Sequence, residues 1–201
     1  QRSLLFRIPC AGDQGLERLA HIDVHLTPSR SMKRIVITGA ESTGKSTLAQ
    51  ALSGYYGEPW TEEFVRSYVE ELKHELQQHD LQPIAEGQLA QEDAGLEQAQ
   101  RFVLHDTNIL SSIIYANYYF DTVIDWVNDA FLEREYTLYL LCMPDIPWEA
   151  DEGQRQSPEA RETLHELFKD SLDILQIPYI EIRGNEEERV MQAVHAIDAI
   201  L

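Results

Sequence analysis

Only two cysteines occur in the 201 residues, Cys10 and Cys142, and they lie far apart. That rules against a disulfide framework and fits a reducing cytoplasm; Cys142 sits inside an apolar run, where a small buried thiol is the plain reading. Long apolar runs are missing too. The longest, Leu138-Tyr139-Leu140-Leu141-Cys142-Met143, falls well short of the roughly 20 residues that a membrane helix needs. Basic residues are scarce: 16 Lys and Arg stand against 35 Asp and Glu, a formal charge of −19. Such a surface repels phosphodiester backbones, which argues against a sequence-independent DNA or RNA binder. No internal repeat or low-complexity stretch is present, and no N/T-K-x-D segment follows late in the chain, as a guanine-selective switch would require.

The acidity is uneven. Residues 1–31 carry Arg2, Arg7, Arg18 and Arg30 against Asp13, Glu17 and Asp23, and show no sustained apolar period. They lack the apolar core and small-residue cleavage pattern of a secretory signal, so they are expected to form a leader or extension outside a single domain spanning residues 32–201. From Arg34 onward, β-type apolar runs alternate with helical periodicity, the mark of βαβ units and a mainly parallel sheet. Strands are expected at Ile35-Val36-Ile37, Phe102-Val103-Leu104, residues 137–141 and Tyr179-Ile180-Glu181-Ile182. Helices are expected after the first strand (Leu48, Ala51, Leu52 and Tyr55 on one face, stopped by Gly57 and Pro59), then near 63–78, 84–99, 109–119 and 125–133, with a break at Asp80–Pro83. Residues 144–157 read as a loop. Ser157-Pro158-Glu159 has the form of an N-cap, a first-turn proline and an acid placed to suit the helix dipole. Val190, Val194, Ile197 and Leu201 stripe a final helix.

Chemistry enters with Gly39-Ala40-Glu41-Ser42-Thr43-Gly44-Lys45-Ser46, a complete G-x-x-x-x-G-K-S/T loop set between a strand and a helix. Its glycines let backbone N–H groups converge on phosphate oxygens, and the helix N-terminus adds partial positive charge. Lys45 is placed to reach the β- and γ-phosphates of a nucleotide, and Ser46 to ligate Mg²⁺; Thr47 either adds a hydroxyl contact or caps the helix. The fold this implies is an α/β P-loop NTPase of the nucleoside/nucleotide-kinase type, a five-stranded, mainly parallel sheet flanked by helices with a short lid. Asp106 closes an apolar strand at the level where the P-loop emerges, which suits either a general base or a member of the Mg²⁺ shell. Arg155 and Arg161 flank the loop after the fourth strand, as lid arginines aimed at a triphosphate or as surface ion-pair partners of Glu152 and Glu159.

Four segments in order, Glu41 within the P-loop, Glu63-Phe64-Val65-Arg66, Asp106-Thr107-Asn108, and Pro144-Asp145-Ile146-Pro147-Trp148 leading to Asp151-Glu152-Gly153-Gln154-Arg155, give a wider resemblance. Over about residues 33–201 the chain resembles the NadR-type ribosylnicotinamide kinase family. The resemblance implies ATP- and Mg²⁺-dependent phosphorylation of the ribose 5′-hydroxyl of nicotinamide riboside, a small-molecule partner, with Glu63, Phe64, Arg66, Asn108 and Trp148 on the nucleoside. The substrate's fixed pyridinium charge suits carboxylates and aromatic faces such as Trp60, Phe64 or Trp148. The spacing around Trp60 departs from the W-E-Y-G-R form of some members. A kinase for another small nucleoside, and a nucleotide-sensing module that binds ATP without transfer, are the rival readings.

Overall fold

The computed structural model describes residues 32–72, 74–148 and 157–201, so the expected leader over residues 1–31 and most of the loop that carries Arg155 lie outside the described residues. Five strands, β1 (Lys33–Thr38), β2 (Trp60–Thr61), β3 (Phe102–Asp106), β4 (Leu138–Cys142) and β5 (Tyr179–Ile182), pair in the order β2-β3-β1-β4-β5, every pair parallel. β1 is central because it has no polar residue between Ile35 and Ile37 and can bury both faces, as parallel strands require. Among the described residues seven α-helices accompany them: α1 (Lys45–Tyr56), α2 (Phe64–Glu71), α3 (Leu81–Gln98), α4 (Ile109–Phe120), α5 (Asp125–Leu132), α6 (Pro158–Ile174) and α7 (Glu186–Asp198).

Strand alternation divides the core in two. Ile35, Ile37, Phe102, Leu104, Leu140 and Cys142 face Leu48, Ala49 and Leu52 of α1 and Ala193 and Ile197 of α7. Val36, Tyr139 and Leu141 face the opposite layer, with Ile109, Leu110 and Ile114 of α4, Val127 of α5 and Phe168 and Leu172 of α6. The expected caps are in place: Gly57 ends α1 with φ 68°, and the Ser157 hydroxyl accepts from Ala160 N at 3.3 Å. Cys142 is fully buried and burial pushes its thiol up to about 12, an unreactive state.

Several boundaries differ from expectation, each for a physical reason. Helix α2 stops at Glu71 instead of running to 78, because the chain folds back so that the Asp80 carboxylate accepts from Gln77 N and from the Tyr68 hydroxyl. Pro83 falls in the first turn of α3, where a missing N–H costs nothing, so the interruption between α2 and α3 ends ahead of it, at Leu81. Tyr55 is exposed, while Tyr56 packs on the core against Phe102. In α7 the stripe centres on Arg189, Ala193 and Ile197, and Leu201 lies exposed beyond the helix end. The fifth strand, β2, is two residues long and carries no periodic signal of its own.

Candidate active site at the P-loop

The P-loop leaves β1 and β3 delivers Asp106 beside it, since Ile37 and Asp106 are partners across the parallel ladder. Gly39 takes φ 130°, and a Cβ there would lie 2.7 Å from the backbone oxygen of Cys142, so only glycine allows the loop to turn this close to β4. Gly44, at φ 77°, ends the loop as the N-cap of α1 without a side-chain cap. Ser42 adopts φ 53°, winding the loop.

Inside this loop Lys45 is 4% exposed and its ammonium donates to Ala40 O at 2.8 Å. The Thr43 hydroxyl donates to the same carbonyl at 2.7 Å, bracing the loop from within. Ser46 Oγ donates to Asp106 Oδ2 at 2.5 Å, while Asp106 is 1% exposed and its Oδ1 has no hydrogen-bond partner among the described residues. Two hard oxygen donors in contact, one of them anionic and with capacity to spare, fit a Mg²⁺ ion. Thr47 is exposed and caps nothing.

Glu63 forms the facing wall. It is the N-cap of α2, almost fully buried, with Arg66 Nε 3.4 Å from its Oε2. Burial pushes its carboxyl above the ordinary glutamate range; the charge of Lys45 opposes the shift, that of Asp106 adds to it, and Arg66 opposes it again. The ammonium, the two carboxylates and the guanidinium therefore act within one space. Arg66 keeps 45% of its side chain exposed. Glu41 is half-buried in the loop.

Phe64 lays its half-buried ring on α3: a Cβ at Gly87 would come within 2.1 Å of it, so the ring anchors α2 to α3. Asn108 is fully buried and its Nδ2 donates to the Tyr139 hydroxyl at 2.9 Å, while its Oδ1 has no hydrogen-bond partner among the described residues. Trp60 packs on the α1 side of the core. Trp148 is half-buried, and Arg155 lies outside the described residues. Arg161 is 8% exposed and donates to Ile146 O at 3.0 Å and to Ser42 O at 3.5 Å, joining the loop after β4 to the P-loop; among the described residues the carboxylate it meets is Glu162 at 3.8 Å and not the expected Glu159, while Glu152 lies outside them.

Three features escape a reading of the sequence. Arg189, 4% exposed, donates to Thr43 O at 2.8 Å, Met143 O at 2.9 Å and Gly184 O at 2.7 Å, and pairs with Asp145. Burial would raise the Asp145 carboxyl, but the Gly184 N–H and the Arg189 guanidinium outweigh it and hold it below the usual range. Next, Gln88 and Glu92 of α3 link the starts of two helices. Phe64 N donates to Gln88 Oε1 at 3.1 Å, Gln88 Nε2 donates to Glu92 Oε1 at 3.3 Å, and Glu92 Oε1 also accepts from Ile109 N at 2.8 Å, with Tyr136 Oη donating to Oε2 at 2.7 Å. The start of α2, with Glu63, is thereby tied to the start of α4, just after Asp106. The signal available was position: Leu81, Ile84, Ala85, Gln88, Glu92 and Gly95 form one helical stripe. Third, the Tyr115 hydroxyl of α4 is buried with no hydrogen-bond partner among the described residues, and burial, with the fields of Glu63 and Glu41, pushes it well above the usual phenol range. His105, in contrast, bonds Thr61 Oγ1 through Nδ1 at 2.9 Å, and burial lowers it to about 3, so it is a neutral packing residue.

Comparison with known proteins agrees with this geometry. A family model described as an AAA domain matches residues 34–189. The trifunctional NAD biosynthesis/regulator protein NadR of Escherichia coli (strain K12) is 25% identical over 175 residues, which cover 83% of this chain and 42% of that protein. The chain thus spans less than half the length of that curated relative. Two crystal structures of NadR protein are similar: one in complex with NAD and AMP-PNP (TM-score 0.71, 23% identity, 85% of this chain and 49% of that one) and one in complex with NR (TM-score 0.69, 22% identity, 85% and 50%). Deoxyadenosine kinase from M. mycoides with bound dATP shares the fold at a TM-score of 0.58 and 17% identity, over 83% of this chain and 99% of that one. With a complete phosphate loop at the centre of a five-stranded parallel sheet, the chain belongs to the AAA-domain family of P-loop proteins and has the kinase-like P-loop fold that NadR shares.

Proposed function

We propose that this protein transfers the γ-phosphoryl group of ATP to the ribose 5′-hydroxyl of nicotinamide riboside. The observation that carries the reading is the Ser46–Asp106 contact at 2.5 Å with Lys45 inside the loop and Glu63 acting on both charges. The NadR structures with NR and with AMP-PNP support the choice of substrates.

The roles follow from position. Ser46 and Asp106 would hold Mg²⁺, which supplies charge neutralisation at the β- and γ-phosphate oxygens. Lys45 exchanges the Ala40 carbonyl for phosphate oxygens, and the loop N–H groups accept the rest of the negative charge. With Asp106 engaged by Ser46, Glu63 is the proton acceptor: the 5′-oxygen forms its bond to γ-phosphorus, the bond from γ-phosphorus to the oxygen of ADP breaks, and the hydroxyl proton passes to the Glu63 carboxylate. Arg66 orients that carboxylate. The Arg161 guanidinium, already seated on Ser42 O, adds positive charge at the P-loop. Glu63 and Glu41 favour a cationic nucleoside by Coulomb attraction in a partly desolvated space.

The test is formation of nicotinamide mononucleotide from nicotinamide riboside and MgATP, followed by chromatography alongside a panel of neutral nucleosides. Preferred turnover of a neutral nucleoside would overturn the substrate. ATP binding with no transfer to any nucleoside would overturn the kinase reading.

A further inference from the structure

The turn between α2 and α3 collects His74, His79 and Asp80, none of which belongs to the phosphate site. We propose that these three residues bind a divalent ion of borderline softness, of the Zn²⁺ or Co²⁺ class, at a position chemically distinct from the oxygen-only pair Ser46 and Asp106.

One ligand atom from each residue lies within 4.8 Å of the others. His74 Nδ1 is 3.8 Å from Asp80 Oδ2, and His79 Nε2 is 3.7 Å from Asp80 Oδ1. In a tetrahedral site with bonds of about 2.0–2.1 Å, neighbouring ligand atoms stand roughly 3.3 Å apart. The two His–Asp pairs, which run to different carboxylate oxygens, need to close by about 0.4–0.5 Å, and the widest pair in the set of three ligand atoms by up to about 1.5 Å, a movement open to imidazoles exposed over 44% and 67% of their side chains. Their rings are 5.6 Å apart and inclined at 42°.

Asp80 is the fixed ligand. It is 2% exposed, Tyr68 Oη donates to its Oδ1 at 2.9 Å, and Gln77 N donates to its Oδ2 at 2.8 Å. A carboxylate offers about four lone-pair sites, so each oxygen keeps one for an ion. Hydrogen bonds of this kind orient the ligands of metal sites and strengthen them. Burial would push the Asp80 carboxyl up, but Gln77 N–H, the Tyr68 hydroxyl and the two imidazoles hold it below its ordinary value, so it is anionic at neutral pH. His74 Nδ1 also lies 2.9 Å from Glu75 O, a bond that coordination through that nitrogen replaces. Two imidazoles and one carboxylate leave a fourth position for water, and this donor set selects Zn²⁺, Co²⁺ or Ni²⁺ over Mg²⁺. The ion would cross-link the turn that joins α2, whose first residue follows Glu63, to α3.

The experiment is a Co²⁺ titration of the full chain in excess Mg²⁺, read by visible d–d absorption, with Zn²⁺ competition and thermal melting alongside. Wild-type protein should give saturable binding of a single ion, displaced by Zn²⁺, with a raised melting temperature. H74A and H79A should each weaken it by at least about tenfold and leave ATP binding unchanged. Because both rings are largely exposed, these variants fold, whereas Asp80→Asn also perturbs the turn. Absence of saturable Co²⁺ absorption in wild type, or wild-type binding by the H74A/H79A double variant, would overturn the proposal.

Discussion

Arg189→Ala removes the clamp under the P-loop, and its cost can be built from its partners. The guanidinium donates to three carbonyls on three segments: Thr43 in the loop, Met143 after β4 and Gly184 after β5. Asp145 retains about a third of its side-chain exposure, so water rehydrates that carboxylate and its share of the loss is about 0–1 kcal/mol. The bonds from Arg189 to Thr43 O and Met143 O are buried; stranding each carbonyl costs about 1–3 kcal/mol. The total is about 2–7 kcal/mol, or a melting point lower by roughly 4–28 °C for a fold of this size. Because Thr43 loses its tether, ATP binding should weaken at least about tenfold, equivalent to about 1.4 kcal/mol. Arg189→Lys keeps the charge but not the planar fork and should fall between wild type and alanine. Urea denaturation followed by circular dichroism gives the first quantity, and titration with a fluorescent ATP analogue the second. A loss below about 1 kcal/mol with unchanged nucleotide affinity would refute the clamp.

Glu63 yields a pH prediction. Burial raises its carboxyl, and a base must be ionised, so kcat/KM should fall as pH drops through a value above the ordinary glutamate range and level off at higher pH. Glu63→Gln should lower kcat about 10²–10⁴-fold and leave the KM for ATP nearly unchanged; an acid limb at the ordinary carboxylate value, or an active glutamine variant, would move the base elsewhere. Gly87→Ala gains about 1 kcal/mol of helix propensity but drives a Cβ to within 2.1 Å of the Phe64 ring, an overpacking cost of about 1–3 kcal/mol. The net should be destabilising, and the displaced start of α2 should raise the nucleoside KM while sparing that for ATP. Steady-state kinetics with each substrate varied in turn would show whether the two KM values separate.

The amino-acid sequence by itself determined the phosphate loop, because eight contiguous residues carry all of its requirements: glycine where φ is positive or a carbonyl crowds the Cα, Lys45 and Ser46 at the first turn of α1. It also determined the buried parallel strands, the cap at Ser157 and Pro158, and Asp106 at the end of β3, since each is written in neighbours a few positions apart. Tertiary structure alone decided the rest. Arg189 stands 146 positions from Thr43, and nothing local to either residue marks their bond. Glu92 reads as one more acid on an acidic helix until packing buries it over Ile109 N, and nothing local to Asn108 marks its bond to the Tyr139 hydroxyl. The two-residue β2 forms only because β3 offers an edge to pair with. In the sequence Glu63 is the first residue of an expected helix and, through the resemblance, a nucleoside contact; the rise of its carboxyl comes from desolvation close to Lys45 and Asp106, surroundings that exist only once the sheet has set the P-loop and α2 against each other.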